Sequence, residues 1–437
     1  MPRGRPNILY IHSHDTGRYI EPYGHAVPAP NLRRFAEGGV LFRRAFSAAP
    51  TCSPSRAALL TGQSAHASGM VGLAHRGFRL TDPKQHLASF LQSHGYLTAL
   101  CNVQHEADQK SIPSLGYAGI LPRRNNSGPE TARAAVEFLN RKPSQPFFLA
   151  CGFNETHREF PVAGPKEDPR YTLPPATLPD VPAVRQDMAN FKAAARVLDD
   201  SMGAIFEGLA RNGLEENTLV ICTTDHGIAF PGMKCSLTDH GIGVMLMLRG
   251  PGGFQGGKVS DAMVSHLDLF PTVCEALDLP APAWLTGRSM LPLLQGRRDE
   301  IRDDLFAEVS YHAAYEPKRA VRTQRWKYIR NFDQRSTPNL PNCDDGLSKS
   351  HWLDQGWRTQ AVPREQLYDL VFDPNETHNL AGDPGQAAAL GQMRGCLDAW
   401  MRSTSDPLLQ GSVPAPAGAR VNDPGGLSPR EPPSVLP

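Results

Sequence analysis

A chain of 437 residues is long for one small core, so one large domain with a smaller companion is expected. With 40% hydrophobic and 20% charged residues, the composition is that of a globular enzyme and excludes a wholly disordered chain. A formal net charge of +1 supplies no long-range field, which argues against nucleic-acid and membrane-surface partners and confines attraction for any anion to a pocket.

In chain order, the segment Met1 to Pro6 is basic, but the apolar run Ile8 to Ile11 is too short for the core of a secretion signal. No apolar stretch is long enough to cross a bilayer, so a cytoplasmic protein is expected. The eight cysteines show no paired spacing, and all except Cys52 read as reduced, buried, small hydrophobes. Asn7 to Ile11 reads as a strand buried on both faces. Helix is expected over residues 31–37, 54–62, 86–94, 130–140 and 184–212, and strand over 40–46, 96–101, 146–152 and 218–223. This alternation predicts an α/β fold with a large, mostly parallel central sheet flanked by helices. From about residue 300, a hairpin over 320–330, a strand over 366–370 and a closing helix over 386–401 predict a small antiparallel α+β subdomain. Three units are therefore expected: 1–300, 301–405 and a Pro/Gly-rich tail, 406–437, read as a linker or disordered end.

Polar residues fall at a regular place in this pattern. His14-Asp15, His105, His157 and Asp225-His226 each follow the C-terminal end of an expected strand. In an open α/β sheet that edge binds ligands, so one rim gathers histidine and aspartate from four strands. His12 and His14 also form an H-x-H pair of the kind found in metal-dependent amidohydrolases. That reading needs further ligands on barrel strands and leaves Cys52 to Arg56 unexplained.

The segment Thr51-Cys-Ser-Pro-Ser-Arg-Ala-Ala-Leu-Leu-Thr-Gly62 resembles the signature of the sulfatase family, within the alkaline phosphatase superfamily. The likeness continues in Pro30 to Phe42, Thr224-Asp-His-Gly227, Val264 to Pro271, Gly287 to Leu294 and Leu367 to Leu380, and is nearest to the heparan N-sulfatase (sulfamidase) branch and its bacterial relatives. The resemblance implies hydrolysis of sulfate esters or N-sulfamates after a formylglycine-generating enzyme has oxidised Cys52. One hydroxyl of the hydrated aldehyde would attack sulfur, and the other would lose its proton to expel sulfate. By the same resemblance, Arg56 holds the nucleophile, His105 is the base, His157 protonates the leaving atom and Lys234 binds the transferring group.

A divalent metal would be held by His14, Asp15, Cys52 (as formylglycine), Asp225 and His226. Two of the family's oxygen ligands are thus histidine here. An oxygen-only site suits calcium, whereas imidazole moves the preference toward manganese, zinc or iron. His14 has a second reading, as a partner that orients a ligand. Val103 stands where the family has lysine. These departures keep open a phosphonate monoester or phosphodiester hydrolase, and, from another class, an inactive scaffold that binds small anionic esters. His240 and His312 read as surface or packing residues, and His266 and Arg288 as structural ones. Oligomeric state has no signal in the sequence.

Overall fold

The computed structural model describes residues 5–437; residues 1–4, which carry part of the basic N-terminus, lie outside the described residues. The apolar run after Pro6 forms β1 (Asn7–His12), buried along its whole length. It lies in the middle of a nine-stranded sheet whose other members are β2 (Val40–Phe46), β3 (Leu97–Asn102), β4 (Gly119–Ile120), β5 (Phe147–Gly152), β6 (Thr218–Thr223), β7 (Gly243–Val244), β8 (Leu246–Arg249) and β9 (Lys258–Ser265). The order is β4-β3-β5-β1-β6-β8-β2-β7, with β9 beside β2. The block β4-β3-β5-β1-β6 is parallel throughout, and β8 is antiparallel to both β6 and β2.

Alternate residues of the central strands feed two cores. Ile8 and Tyr10 pack with Leu59, Leu60 and Phe270 on one face, while Leu9 and Ile11 pack with Phe138, Leu198 and Ile205 on the other. Covering both faces is what a continuous apolar strand requires, at about 1.5–3 kcal/mol for each large side chain taken from water. The long helix Pro182–Arg211 covers the second face. On the first lies α2 (Cys52–Thr61), the helix that follows α1 (Pro30–Gly38), and all ten of its residues are buried. Gly62 ends α2 in the left-handed region at φ +67°, and a Cβ there would come within 2.5 Å of Leu285. The turn therefore needs glycine.

A four-stranded antiparallel sheet follows: β10 (Asp304–Tyr311), β11 (Tyr315–Thr323), β12 (Trp326–Asn331) and β13 (Glu365–Asp369), in sequence order. The helix Ala387–Ser403 buries Leu390, Met393 and Leu397 against it. The fold class thus agrees with the expectation. The tail does not. Residues 406–437 form no linker but a strap laid over the molecule. Asp406 is buried against Arg319, Val413 accepts a hydrogen bond from the Tyr311 hydroxyl at 2.7 Å, and Asn422 accepts one from Arg76 at 2.7 Å. β14 (Arg420–Val421) and β15 (Ser434–Val435) pair near its end. These contacts are mostly polar and irregularly spaced, so no apolar period announces them. Among the described residues, no helix is long and apolar enough to cross a membrane.

Candidate active site

The four strands that end in histidine or aspartate are consecutive neighbours, β3-β5-β1-β6. Neighbouring strands lie about 5 Å apart, so residues just past their ends share one small volume. α2 enters it from the side. Ser55 donates from its hydroxyl to the Asp225 carbonyl at 2.5 Å, tying the helix to the loop after β6. Cys52, at the first turn, is 4% exposed. Burial pushes its thiol pKa far up, against the pull of Lys234, so the unmodified sulfur is a poor nucleophile.

Arg56, one turn on, is buried. It donates to the Ser13 carbonyl and to Asp225 Oδ2, each at 2.9 Å, and also meets His12 Nδ1. His12 therefore faces the arginine, and the open sheet carries no barrel of ligands, which removes the amidohydrolase alternative.

His14, Asp15, Cys52, Asp225 and His226 offer ligand atoms that all lie within 4.8 Å of one another. Asp15 stands in the left-handed region at φ +53°, a strained conformation for a residue with a side chain. Its amide donates to Asp225 Oδ1 at 2.8 Å, which locks the two carboxylates together. Although burial opposes ionisation, Lys234 and His14 hold Asp15 well below the usual carboxylate range, and His226, His14 and Arg56 do the same for Asp225.

The two histidines differ. His226 donates from Nδ1 to the Gly227 carbonyl at 3.0 Å. Its Nε2 has no hydrogen-bond partner and lies 3.4 Å from Asp15 Oδ1 and 3.6 Å from Asp225 Oδ2. A cation among these atoms would satisfy the ring nitrogen and both carboxylates at once, so the donor set fits a divalent metal. His14 holds Nδ1 2.7 Å from Asp15 Oδ1 and 3.2 Å from Asp225 Oδ2, with Nε2 buried and unpartnered. Burial lowers its pKa to about 4 against the pull of Asp225 and Asp15, so it is neutral at pH 7 and able to ligate.

Lys234 lies beside this cluster, 2.9 Å from Asp15 Oδ2, 2.8 Å from Asp344 Oδ2 and 3.5 Å from His157 Nε2. The His157 ring is 4.5 Å from that of His14 and the His105 ring 5.0 Å, measured between centroids. Burial, then His14 and Arg56, lowers the His105 pKa and keeps that ring an acceptor. Every residue singled out in the sequence for this site is therefore gathered within it.

The site also takes in His312, which the sequence reading set down as surface or packing, and Asp344, which it did not single out. His312, after β10, is buried, and its pKa is lowered first by burial and then by Lys234, with Asp344 opposing. It obeys the same rule of a polar residue past a strand end, and would have been found had β10 been recognised. Asp344 sits in an irregular loop without any periodic signal. Both lie beyond residue 300, so the second sheet contributes to the site. His240 is elsewhere, bonded to the Tyr19 hydroxyl at 2.8 Å. His266 meets the Thr223 hydroxyl at 3.1 Å, under the site.

An open α/β sheet with a buried carboxylate–imidazole cluster and a basic rim at its C-terminal edge is the frame of a metal-assisted hydrolase of anionic esters. The family model described as Sulfatase matches residues 6–279, more than half of the chain, and the chain belongs to the sulfatase family of sulfuric ester hydrolases. The model described as N-sulphoglucosamine sulphohydrolase, C-terminal, matches residues 233–345. N-sulphoglucosamine sulphohydrolase of Homo sapiens is 29% identical, over 93% of this chain and 92% of that protein. A structure solved in complex with its substrate D-glucosamine-2-N,6-O-disulfate has a TM-score of 0.73 at 16% identity, over 92% of this chain and 98% of that one. The phosphonate monoester hydrolase of Agrobacterium radiobacter has a TM-score of 0.71 at 21% identity, over 93% and 97%. These two structural likenesses bear on the fold alone.

Proposed function

We propose that the protein hydrolyses sulfate monoesters or N-sulfamates of sugars, with Cys52 converted to formylglycine and one divalent metal held by Asp15, Asp225, His226 and His14. The observation that carries this is the convergence of five ligand atoms within 4.8 Å, with His226 Nε2 aimed at two ionised carboxylates. The likeness to N-sulphoglucosamine sulphohydrolase over 93% of the chain favours the sulfamate.

When bound, the metal and the aldehyde hydrate would supply a Lewis acid and an oxygen nucleophile at neutral pH. The chain's own groups do the rest. Lys234, balanced between Asp15 and Asp344, presents an ammonium to the oxygens of the transferring group. Arg56, held at three points, orients the nucleophilic residue and offsets its charge. His157 is about one-third exposed, with Nε2 3.5 Å from the ammonium, and delivers a proton to the departing oxygen or nitrogen at the mouth. Neutral His105, inside, accepts the proton whose removal ends the cycle. Burial of α2 excludes water from the attack.

The test is turnover of 4-nitrophenyl sulfate, an aryl phosphonate monoester and a phosphodiester by protein co-expressed with a formylglycine-generating enzyme, beside Cys52→Ala. Dominant sulfate hydrolysis that disappears in Cys52→Ala is the expected result; activity unchanged in that variant overturns the mechanism. Preference for the phosphorus esters would establish the second reading, which His226 favours. Persistent binding of anionic esters without turnover by converted protein would establish the inactive scaffold.

A further inference from the structure

Beyond His105, the site opens into a cavity of about 490 Å³ whose walls include His75, Asn102, Val103, His105, Arg123 and Asn154. That volume is in the range that holds a sugar ring together with a neighbouring substituent or ring. The cavity is continuous with the reaction centre: the His105 ring contacts that of His14, and the Asn154 carbonyl accepts the His157 amide at 2.7 Å.

Arg123 lies on the loop between β4 and the helix Gly128–Asn140. The loop is pinned to the catalytic edge of the sheet, because the Asn126 carbonyl accepts from Asn102, at the end of β3, at 3.2 Å and from Asn154, after β5, at 2.7 Å. The guanidinium is held by one bond, from Nη2 to Asn126 Oδ1 at 3.1 Å. Nε and Nη1 are shielded from solvent and have no partner. Unpaired donors on a permanently charged group are costly, and among the described residues no ion pair uses them.

No carboxylate on the cavity wall pairs with Arg123. The acid on the wall is Asp108, whose carboxylate already accepts from the Lys110 and Ser111 amides and the Ser111 hydroxyl. Across the cavity stands His75, with Arg76 and Arg420 behind it.

Resting on the sulfatase reading above, we propose that this cavity is an anion-accepting sugar subsite in which Arg123 binds a second negative group of the substrate, a carboxylate or a further sulfate. The group cleaved at Cys52 and the group held at Arg123 would then be recognised together. The enzyme would select multiply anionic sugars over singly charged aryl esters. Val103 supplies an apolar wall, and the cation stands farther out, on the loop.

Binding is measured calorimetrically on Cys52→Ala, with and without Arg123→Ala, for N-sulfoglucosamine, glucosamine-2-N,6-O-disulfate, and N-sulfoglucosamine linked to a uronate. Equal melting temperatures show that both proteins are folded. The expected result is about tenfold tighter binding of the 6-sulfated or the uronate ligand than of N-sulfoglucosamine, an advantage erased by Arg123→Ala. Which of the two shows it names the source of the charge. Equal affinity for all three, or an advantage that survives Arg123→Ala, overturns the subsite.

Turnover separates this result from the functional reading. Converted Arg123→Ala should keep its kcat/KM on 4-nitrophenyl sulfate within about twofold and raise KM for the doubly charged sugar about tenfold. Equal loss on both substrates would make Arg123 a structural residue and sink the proposal. Arg123-dependent binding by a protein that cleaves no sulfate would sink the functional reading alone.

Discussion

Two of the buried charge clusters in the molecule are built on opposite principles. Where the tail meets the second sheet, His66, Glu308, Arg319 and Asp406 pair completely. His66 Nδ1 is 2.9 Å from Glu308 Oε1, and Arg319 meets Asp406 at 2.5 Å and Glu308 at 3.4 Å while also donating to the Val309 and Lys318 carbonyls. None of their polar atoms is left over. At the sheet edge, by contrast, His14 Nε2, His226 Nε2, Arg56 Nε and the Thr51 hydroxyl are buried without partners. Burial of charge alone therefore does not mark an active site. What sets the sheet edge apart from the tail cluster is that several unspent donors and acceptors converge beside ionised carboxylates, where a ligand would complete the set.

The contrast can be broken by substitutions that exchange the two kinds of effect. Cys52→Ala should remove sulfate turnover by about 10,000-fold or more while melting within a degree or two of the parent, since it deletes one sulfur from an incomplete site. Arg319→Ala should do the reverse. It strands Asp406 and Glu308, costing about 3–5 kcal/mol in chemical denaturation, yet the folded fraction should keep its kcat. Should Cys52→Ala unfold the protein, or Arg319→Ala lose kcat, the distinction fails.

Smaller effects sharpen it. Manganese or calcium at 100-fold over its Kd should stabilise the parent by about 2.7 kcal/mol, and Asp225→Asn should abolish that response in thermal melts with and without chelator. Of all four, His66→Gln should cost least, about 1–2 kcal/mol, and its cost should depend on pH. The His66 pKa is raised by Glu308 against its burial, so its contribution is full below the ordinary 6.5 and lost as pH rises through the higher folded value. Burial would raise Glu308, but His66 and Arg319 draw it to about 2, so its contribution is full above the ordinary 4.5 and lost as pH falls through about 2. The stability gap between parent and variant should be widest between pH 4.5 and 6.5 and close as pH rises through the raised His66 value. A gap that widens with pH would refute the assignment.

Much of the sheet was legible because central parallel strands are apolar on both faces. β1, β3, β5 and β6 stand out as continuous runs, and what interrupts them is chemistry. β8, β9 and β10 escaped for complementary reasons. β8 is only four residues long, β9 begins exposed beyond a glycine-rich turn, and β10 alternates polar with apolar residues. Missing β10 left His312 read as a surface or packing residue, and hid the contribution of the second sheet. The signature led to Cys52 and Arg56, and strand ends led to the histidines and aspartates. Asp344 and Arg123 lie on loops whose positions depend on hydrogen bonds made far along the chain, such as those to Asn126, and local pattern carries no record of these. The strap at 406–437 was misjudged for the same reason.

Every residue from Thr51 to Ala65 is buried, so no enzyme can grip the Cys52 peptide once the protein has folded. Two groups that close over Cys52, Asp225 and Lys234, lie 173 and 182 positions downstream (225 − 52 and 234 − 52). At about 5–20 residues per second they leave the ribosome roughly 10 to 40 seconds after the cysteine does. The oxidation proposed for Cys52 thus has a clock, set by how late the second half of the sheet is synthesised. A chain that folds faster than it is oxidised would be sealed with an inert thiol, intact by every measure of structure and permanently without its nucleophile.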